Sequence, residues 1–312
     1  MKIKNRISII FSRDNDFFHL TENAKYLPHI AFSSLPLPLL FIMISAVIVQ
    51  FILAPVFFGD IDNVKGFTGE VFLLFTVAPL TVVFIALWVK YVERRKFFTI
   101  GFTNRNFISK YAEGFGTGTI MISAVVGLMA LTGVVEIEEN SSLPLGIANP
   151  GAVIILLFGY IFQGGSEEVL ARGWQFQVIG ARYKPWHGVV ISSMLFGLLH
   201  GLNKGVTVLA IINLSLFSVL MVLFVLKDGN IWSACGFHSA WNWVQGNVYG
   251  LNVSGNVTTG GTIIDLQAAG PDILTGGIFG PEGSLLTTSV MLVGITAVFC
   301  YSKIKELEKN CL

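Results

Sequence analysis

The sequence predicts an all-α protein embedded in a membrane, a polytopic bundle of about eight spanning helices with both termini in the cytoplasm. Three observations predict it. Of 312 residues, 53% are hydrophobic and only 12% are charged, where a soluble domain carries about 25% charged residues. Mean hydropathy is +0.71. Long apolar runs recur along the chain, and the basic residues between them fall almost wholly on alternate loops. So much apolar surface cannot be hidden in one water-soluble core and needs lipid as its solvent. The formal net charge of +1 gives no electrostatic ground for a nucleic-acid partner.

Taken in order, residues 1–33 read as a cytoplasmic tail, an interfacial segment with Phe17 and Phe18 on the surface. Its bases lead into the first apolar run with no small-residue cleavage site, so that run reads as a retained span and not a signal peptide. A spanning helix needs about 20 mostly apolar residues. Clear candidates lie near 35–58, 70–89, 115–135, 206–226 and 285–301. Three further runs, 152–177, 186–202 and 231–249, carry polar residues within them. This divides the chain into a tail (1–33), the first membrane helices (34–150), a membrane core holding the polar residues (151–250), a Gly-rich outer loop (251–284), and a last helix with a cytoplasmic tail (285–312). The loop closes in a set of turns over 276–282, and Glu282 there reads as a solvated loop carboxylate in preference to a functional one.

The basic residues test this reading. With the N-terminus inside, the cytoplasmic loops hold Lys90, Arg94, Arg95, Lys96, Arg105, Lys110, Arg172, Arg182, Lys184 and Lys227. The tails add Lys2, Lys4, Arg6, Arg13, Lys25, Lys303, Lys305 and Lys309, and only Lys65 and Lys204 fall outside. That is the asymmetry of the positive-inside rule, and an odd number of spans would scramble it.

Ionisable side chains in spans are costly and mark function. Glu167 and Glu168 open the first such group, and Arg172 follows Glu168 by four residues, so the two share a helix face and can pair. Glu167 sits about 100° round the helix, free to face something else. An amphipathic helix end at the interface is the competing reading of this group. His200 stands alone in an apolar run between Gly197 and Gly201, and a lone helical histidine is more often a satisfied core residue. His238 and Asn242 are four apart, on one face, and both can donate to one acceptor. Helix–helix hydrogen bonding is the competing reading there. Together they are one free carboxylate, two histidines and an asparagine in three neighbouring spans, expensive to bury for packing alone.

The ordered set resembles the CAAX-protease and bacteriocin-processing (CPBP) family of intramembrane endopeptidases. It consists of Glu167-Glu168 with Arg172-Gly173-Trp174, then Phe196 with His200, then His238 with Asn242. Ala171 departs from the aromatic residue common before the arginine. The resemblance implies that residues 151–250 are a catalytic membrane core, with Glu167 as general base and His200 helping to hold the attacking water. It implies His238 and Asn242 as oxyanion donors, with Glu168 and Arg172 holding the helix and orienting Glu167. No cofactor is expected on this reading. A zinc site on Glu167, His200 and His238 is the alternative the family also allows, although the sequence has no HExxH to fix a metal. The partners implied are a peptide or membrane-protein substrate and the lipid bilayer of the cell membrane.

Two other function classes compete. A transporter would line an ion path with such groups, but the chain lacks repeated halves and carboxylates spread along several helices. A non-enzymatic bacteriocin-immunity protein would keep the fold without needing Glu167. The three cysteines, Cys235, Cys300 and Cys311, form no disulfide framework, and nothing marks Cys235 as an activated nucleophile.

Overall fold

The computed structural model of the protein describes residues 11–103, 106–138 and 149–311, with side chains to residue 305. Lys2, Lys4, Arg6, Arg105, Lys309, the side chain of Cys311 and most of the segment between the third and fourth spans lie outside the described residues. Each of the eight apolar runs forms a helix. They are α1 (Ile30–Phe58), α2 (Gly66–Tyr91), α3 (Phe107–Leu131), α4 (Pro150–Arg182), α5 (Pro185–Leu199), α6 (Val208–Asp228), α7 (Trp232–Trp243) and α8 (Leu285–Cys311).

Six of them, α1, α2, α3, α4, α6 and the stretch Leu285–Lys305 of α8, are long and apolar enough to cross a membrane. The other two are shorter. At 1.5 Å per residue the 15 residues of α5 reach only about 22 Å. Its exposed Trp186, Val190, Met194 and Leu198 recur every four residues and so form one apolar face suited to lipid. By contrast, α7 is buried throughout 233–242 and runs on into a π-type turn at Val244–Val248.

Small residues explain how α7 is enclosed. A Cβ on Gly114 of α3 would lie 1.9 Å from the Ser233 carbonyl oxygen, and one on Gly118 would lie 2.5 Å from that of Phe237. Gly236 of α7 returns the contact, 2.1 Å from the Tyr111 oxygen. Across α7, Gly164 of α4 leaves room for the Ser239 backbone. In lipid, apolar side chains gain nothing by leaving one apolar solvent for another, so close backbone approach through small residues supplies the packing energy.

Outside the bundle, Val135–Ile137 (β1) pairs antiparallel with Leu266–Ala268 (β2), with Val135 opposite Ala268. This ribbon ties the long loop to the end of α3. The loop is tied again where the Thr259 N–H and Oγ donate to Glu70 at 2.9 and 2.6 Å.

One expectation is corrected near the start of the chain, and one loop charge proves buried. Phe17 and Phe18 do not lie on the surface: they are 0% and 3% exposed and pack on Phe176 at 5.9 and 5.4 Å. Gly180 makes the space, since a Cβ there would meet the Phe18 ring at 2.3 Å. Arg95 is no solvated loop charge either. Its Nε donates to Glu93 at 2.6 Å with both side chains fully buried, its Nη1 donates to Gln177 at 2.7 Å, and Trp174 Nε1 donates to the other Glu93 oxygen at 2.6 Å.

Candidate active site

α4 changes its winding where the acidic pair sits. It is α-helical through Glu168 and π-helical over Val169–Phe176. Such π turns are uncommon and concentrate at functional positions. Within that turn Arg172 Nη1 reaches Glu168 Oε1 at 2.9 Å, and both side chains are fully buried. The Arg172 guanidinium also lies 4.4 Å from the centre of the Phe196 ring, which supplies attraction that its unbonded Nε and Nη2 lack.

The same Glu168 oxygen takes a second bond, from His238 Nδ1 at 2.8 Å. The expectation that Glu168 and Arg172 orient Glu167 is therefore corrected: they orient His238. The rotation of about 100° between neighbouring helical residues sends the two glutamates to different partners. Glu167 is held instead by Gln163, whose Nε2 donates to Oε1 one turn earlier on α4. Gln163 Oε1 in turn accepts from Asn242 Nδ2 at 2.9 Å, so one glutamine links the carboxylate to α7.

Glu167 lines a cavity, and its other oxygen, Oε2, is buried at the cavity wall. Its side chain is 29% exposed, and its Oε2 has no hydrogen-bond partner and lies 3.8 Å from His238 Nε2. His200 caps α5, with Nδ1 bonded to the Phe196 carbonyl oxygen at 2.8 Å. That bond makes Nδ1 the donor and turns Nε2 into the free position of the ring. Phe196 packs against both histidines, 5.1 Å from His200 and 5.9 Å from His238. Glu167, His200, His238 and Asn242 all line one cavity of about 740 Å³. Helix ends that counting along the chain puts at different depths thus meet around a single space.

Two members of this site escaped sequence reasoning. Gln163 is one, and its signal was an amide in an apolar run four residues before Glu167. Glu282 is the other, and here the expectation of a solvated loop carboxylate is corrected. It is 5% exposed and lines the same cavity, and its Oε2 accepts from the Ser254 N–H at 2.6 Å and from Ser254 Oγ at 2.8 Å. Burial pushes its carboxyl above the usual carboxylate range, while the Ser254 bonds and the neighbouring His200 pull it partly back.

Among the described residues, no three His, Cys, Asp or Glu side chains gather in a way that would hold a metal ion. Glu167, His200 and His238 do not form a three-ligand set in this arrangement, and no step below is routed through a metal. Cys235 is buried at 3% exposure among core side chains.

Residues 149–244, which carry every motif residue named above, match the family model described as type II CAAX prenyl endopeptidase Rce1-like. Over that stretch the chain is similar to the CPBP family of membrane endopeptidases. The match begins one residue before α4 and ends just past α7, so it spans the helices that bring Glu167, His200, His238 and Asn242 to the cavity. No curated protein and no solved structure matches the chain.

Proposed function

We propose that this CPBP endopeptidase hydrolyses its peptide substrate with a water molecule activated by Glu167, without a covalent enzyme intermediate. The observation that carries this reading is the unpartnered Glu167 Oε2 on the cavity wall, 3.8 Å from His238 Nε2. A base needs a lone pair free and within reach of the proton it takes. Glu167 has one because Gln163 occupies only its other oxygen.

A water between Glu167 Oε2 and His200 Nε2 gives its proton to Glu167 as its oxygen attacks the peptide carbonyl. The carbonyl oxygen becomes an oxyanion. His238 Nε2–H and the second amide proton of Asn242 Nδ2 donate to it, the first being already engaged by Gln163. Donation from Nε2 while Nδ1 is bonded to Glu168 at 2.8 Å requires the imidazolium form of His238 in this step. Glu167 then returns its proton to the leaving nitrogen, the C–N bond breaks, and an acid and an amine depart. The walls contributed by Leu73, Leu74 and Val77 of α2 and by Leu214 and Phe217 of α6 are apolar, which suits a substrate that arrives from lipid or carries apolar side chains.

The test is cleavage of a peptide library by purified protein reconstituted in detergent, comparing wild type, Glu167→Ala and His200→Ala, each with and without a strong chelator. Loss of cleavage in both variants with chelator-resistant wild-type activity is the expected result. Equal cleavage by all three proteins overturns the assignment, and chelator inhibition reversed by zinc replaces the mechanism with a metal-dependent one.

A further inference from the structure

Glu282 belongs to none of the helices that carry the family's motifs, yet the chain spends much to bury it beside them. Its own turn is pinned from α6, where Asn213 Nδ2 donates to the Glu282 and Ser284 carbonyl oxygens, both at 2.8 Å. The turn is entered through Gly280 at φ +95°, where a Cβ would lie 2.1 Å from the Asn252 oxygen, so no other residue fits.

The carboxylate grips a strained partner. Ser254 is not glycine but has φ +47°, a left-handed conformation that persists in a non-glycine residue only where surrounding bonds over-determine it. Both its N–H and its hydroxyl point to Glu282 Oε2. The Ser254 carbonyl oxygen then accepts from Asn203 Nδ2 at 2.8 Å. The Asn203 N–H closes the turn onto the carbonyl oxygen of His200 at 3.0 Å. An unbroken run of contacts thus leads from Glu282 through Ser254 and Asn203 to the end of α5. The other Glu282 oxygen takes no such bond and lies on the wall of the cavity that His200 also lines.

We propose that Glu282 is a positioning residue of the active site: by holding Ser254 it clips the outer loop to the turn after α5 and so sets where His200 stands. This rests on the reading of His200 as a holder of the attacking water. The titratable groups that share the cavity with Glu282 are Lys65 and Glu70 of the α2 end, Tyr160 and Glu167 of α4, His200 and Lys204 beside α5, and His238 of α7. Of these, His200 is the one joined to Glu282 through the bonded turn.

The test uses the full-length protein in detergent with ring-¹³C histidine, comparing wild type, Glu282→Gln, Glu282→Asp and Ser254→Gly. Glu282→Gln is expected to lower kcat about ten- to a hundredfold with KM nearly unchanged, the cost of a misplaced group that does not bind substrate. It shifts the His200 ring signal while those of His19, His29 and His187 stay in place. Glu282→Asp recovers part of the lost kcat. An unmoved His200 signal overturns the proposal whatever happens to kcat. A moved signal with unchanged kcat leaves Glu282 holding the turn but overturns its part in catalysis, because it removes His200 from the mechanism. Should Glu282→Gln fail to fold, Ser254→Gly decides: it keeps the left-handed turn and the carboxylate and deletes one bond. A wild-type His200 signal and kcat in that variant overturn the proposal.

Discussion

Asn242 has two amide protons and gives one to Gln163. On the proposed mechanism the other is what it offers a developing oxyanion. Asn242→Ala is therefore expected to cost about 10²–10³ in kcat, the usual price of one such donor, with little change in KM; steady-state cleavage kinetics check this. Glu168 behaves differently because it touches no reacting atom. It is fully buried and accepts from both Arg172 and His238. Glu168→Leu leaves the Arg172 cation buried without its counter-charge and is expected to destabilise the protein by about 3–5 kcal/mol, read as a lower unfolding midpoint in detergent. Changing Arg172 and Glu168 together to apolar residues should recover most of that stability, since replacing both partners of a buried pair is often close to neutral. It should not recover activity, because His238 Nδ1 stays without its acceptor.

At the scale of helices, α7 matters because it brings His238 and Asn242 to the cavity from between α3 and α4. Its seat depends on the absence of side chains at Gly114, Gly118, Gly236 and Gly164. Gly114→Ala places a methyl group 1.9 Å from backbone that cannot step aside. It is expected to cost stability by about 1–3 kcal/mol or more and to lower cleavage, while Gly116→Ala on the same helix meets nothing within 4 Å and should be silent. Thermal unfolding of the two variants side by side checks both. The Glu93–Arg95 pair plays a comparable part at the other end of α4. It joins the segment after α2 to Trp174 and Gln177 through two hydrogen bonds, one to each, and it is fully buried.

Over the whole molecule, the buried Glu282 gives stability a pH dependence. Its carboxyl is raised by burial above the ordinary value of 4.5, so the folded state holds this proton more tightly than the unfolded chain. Its contribution is fully present below the unfolded value and is lost as pH rises through the folded one. Unfolding midpoints measured across that window should fall with rising pH in wild type by more than in Glu282→Gln, which has no proton to lose there; equal slopes would count against the assignment. The charge asymmetry makes a separate statement about the whole chain. A membrane-impermeant amine reagent is expected to label Lys65 and Lys204 from one side of sealed vesicles and Lys96 from the other. Lys65 and Lys204 both line the cavity that holds Glu167 and His200.

The membrane bundle was legible in the sequence because the bilayer allows so few solutions. A run of about 20 apolar residues has to satisfy its own backbone bonds, so it becomes a helix. All eight runs do so, even where α5 and α7 prove shorter than a full crossing. The four motif residues were legible because polar groups in an apolar run are rare enough to stand out. The pairing of Glu168 with Arg172 followed from helical spacing alone. What spacing could not give was the partner in another helix: that Glu168 reaches His238, that Gln163 bridges Glu167 to Asn242, or that Phe17 and Phe18 fill the space Gly180 leaves. Glu282 shows the limit most plainly. In sequence it is a carboxylate in a Gly-rich loop, surrounded by residues that usually mean solvent. Only the folded chain, by bringing Ser254 and Asn213 from distant segments onto that turn, decides that it is buried at the cavity that Glu167 and His200 line. Local composition governs which segments enter lipid, because lipid responds to each segment separately. Which polar atoms meet inside is set by contacts between segments far apart in the chain, and these exist only once the helices have packed.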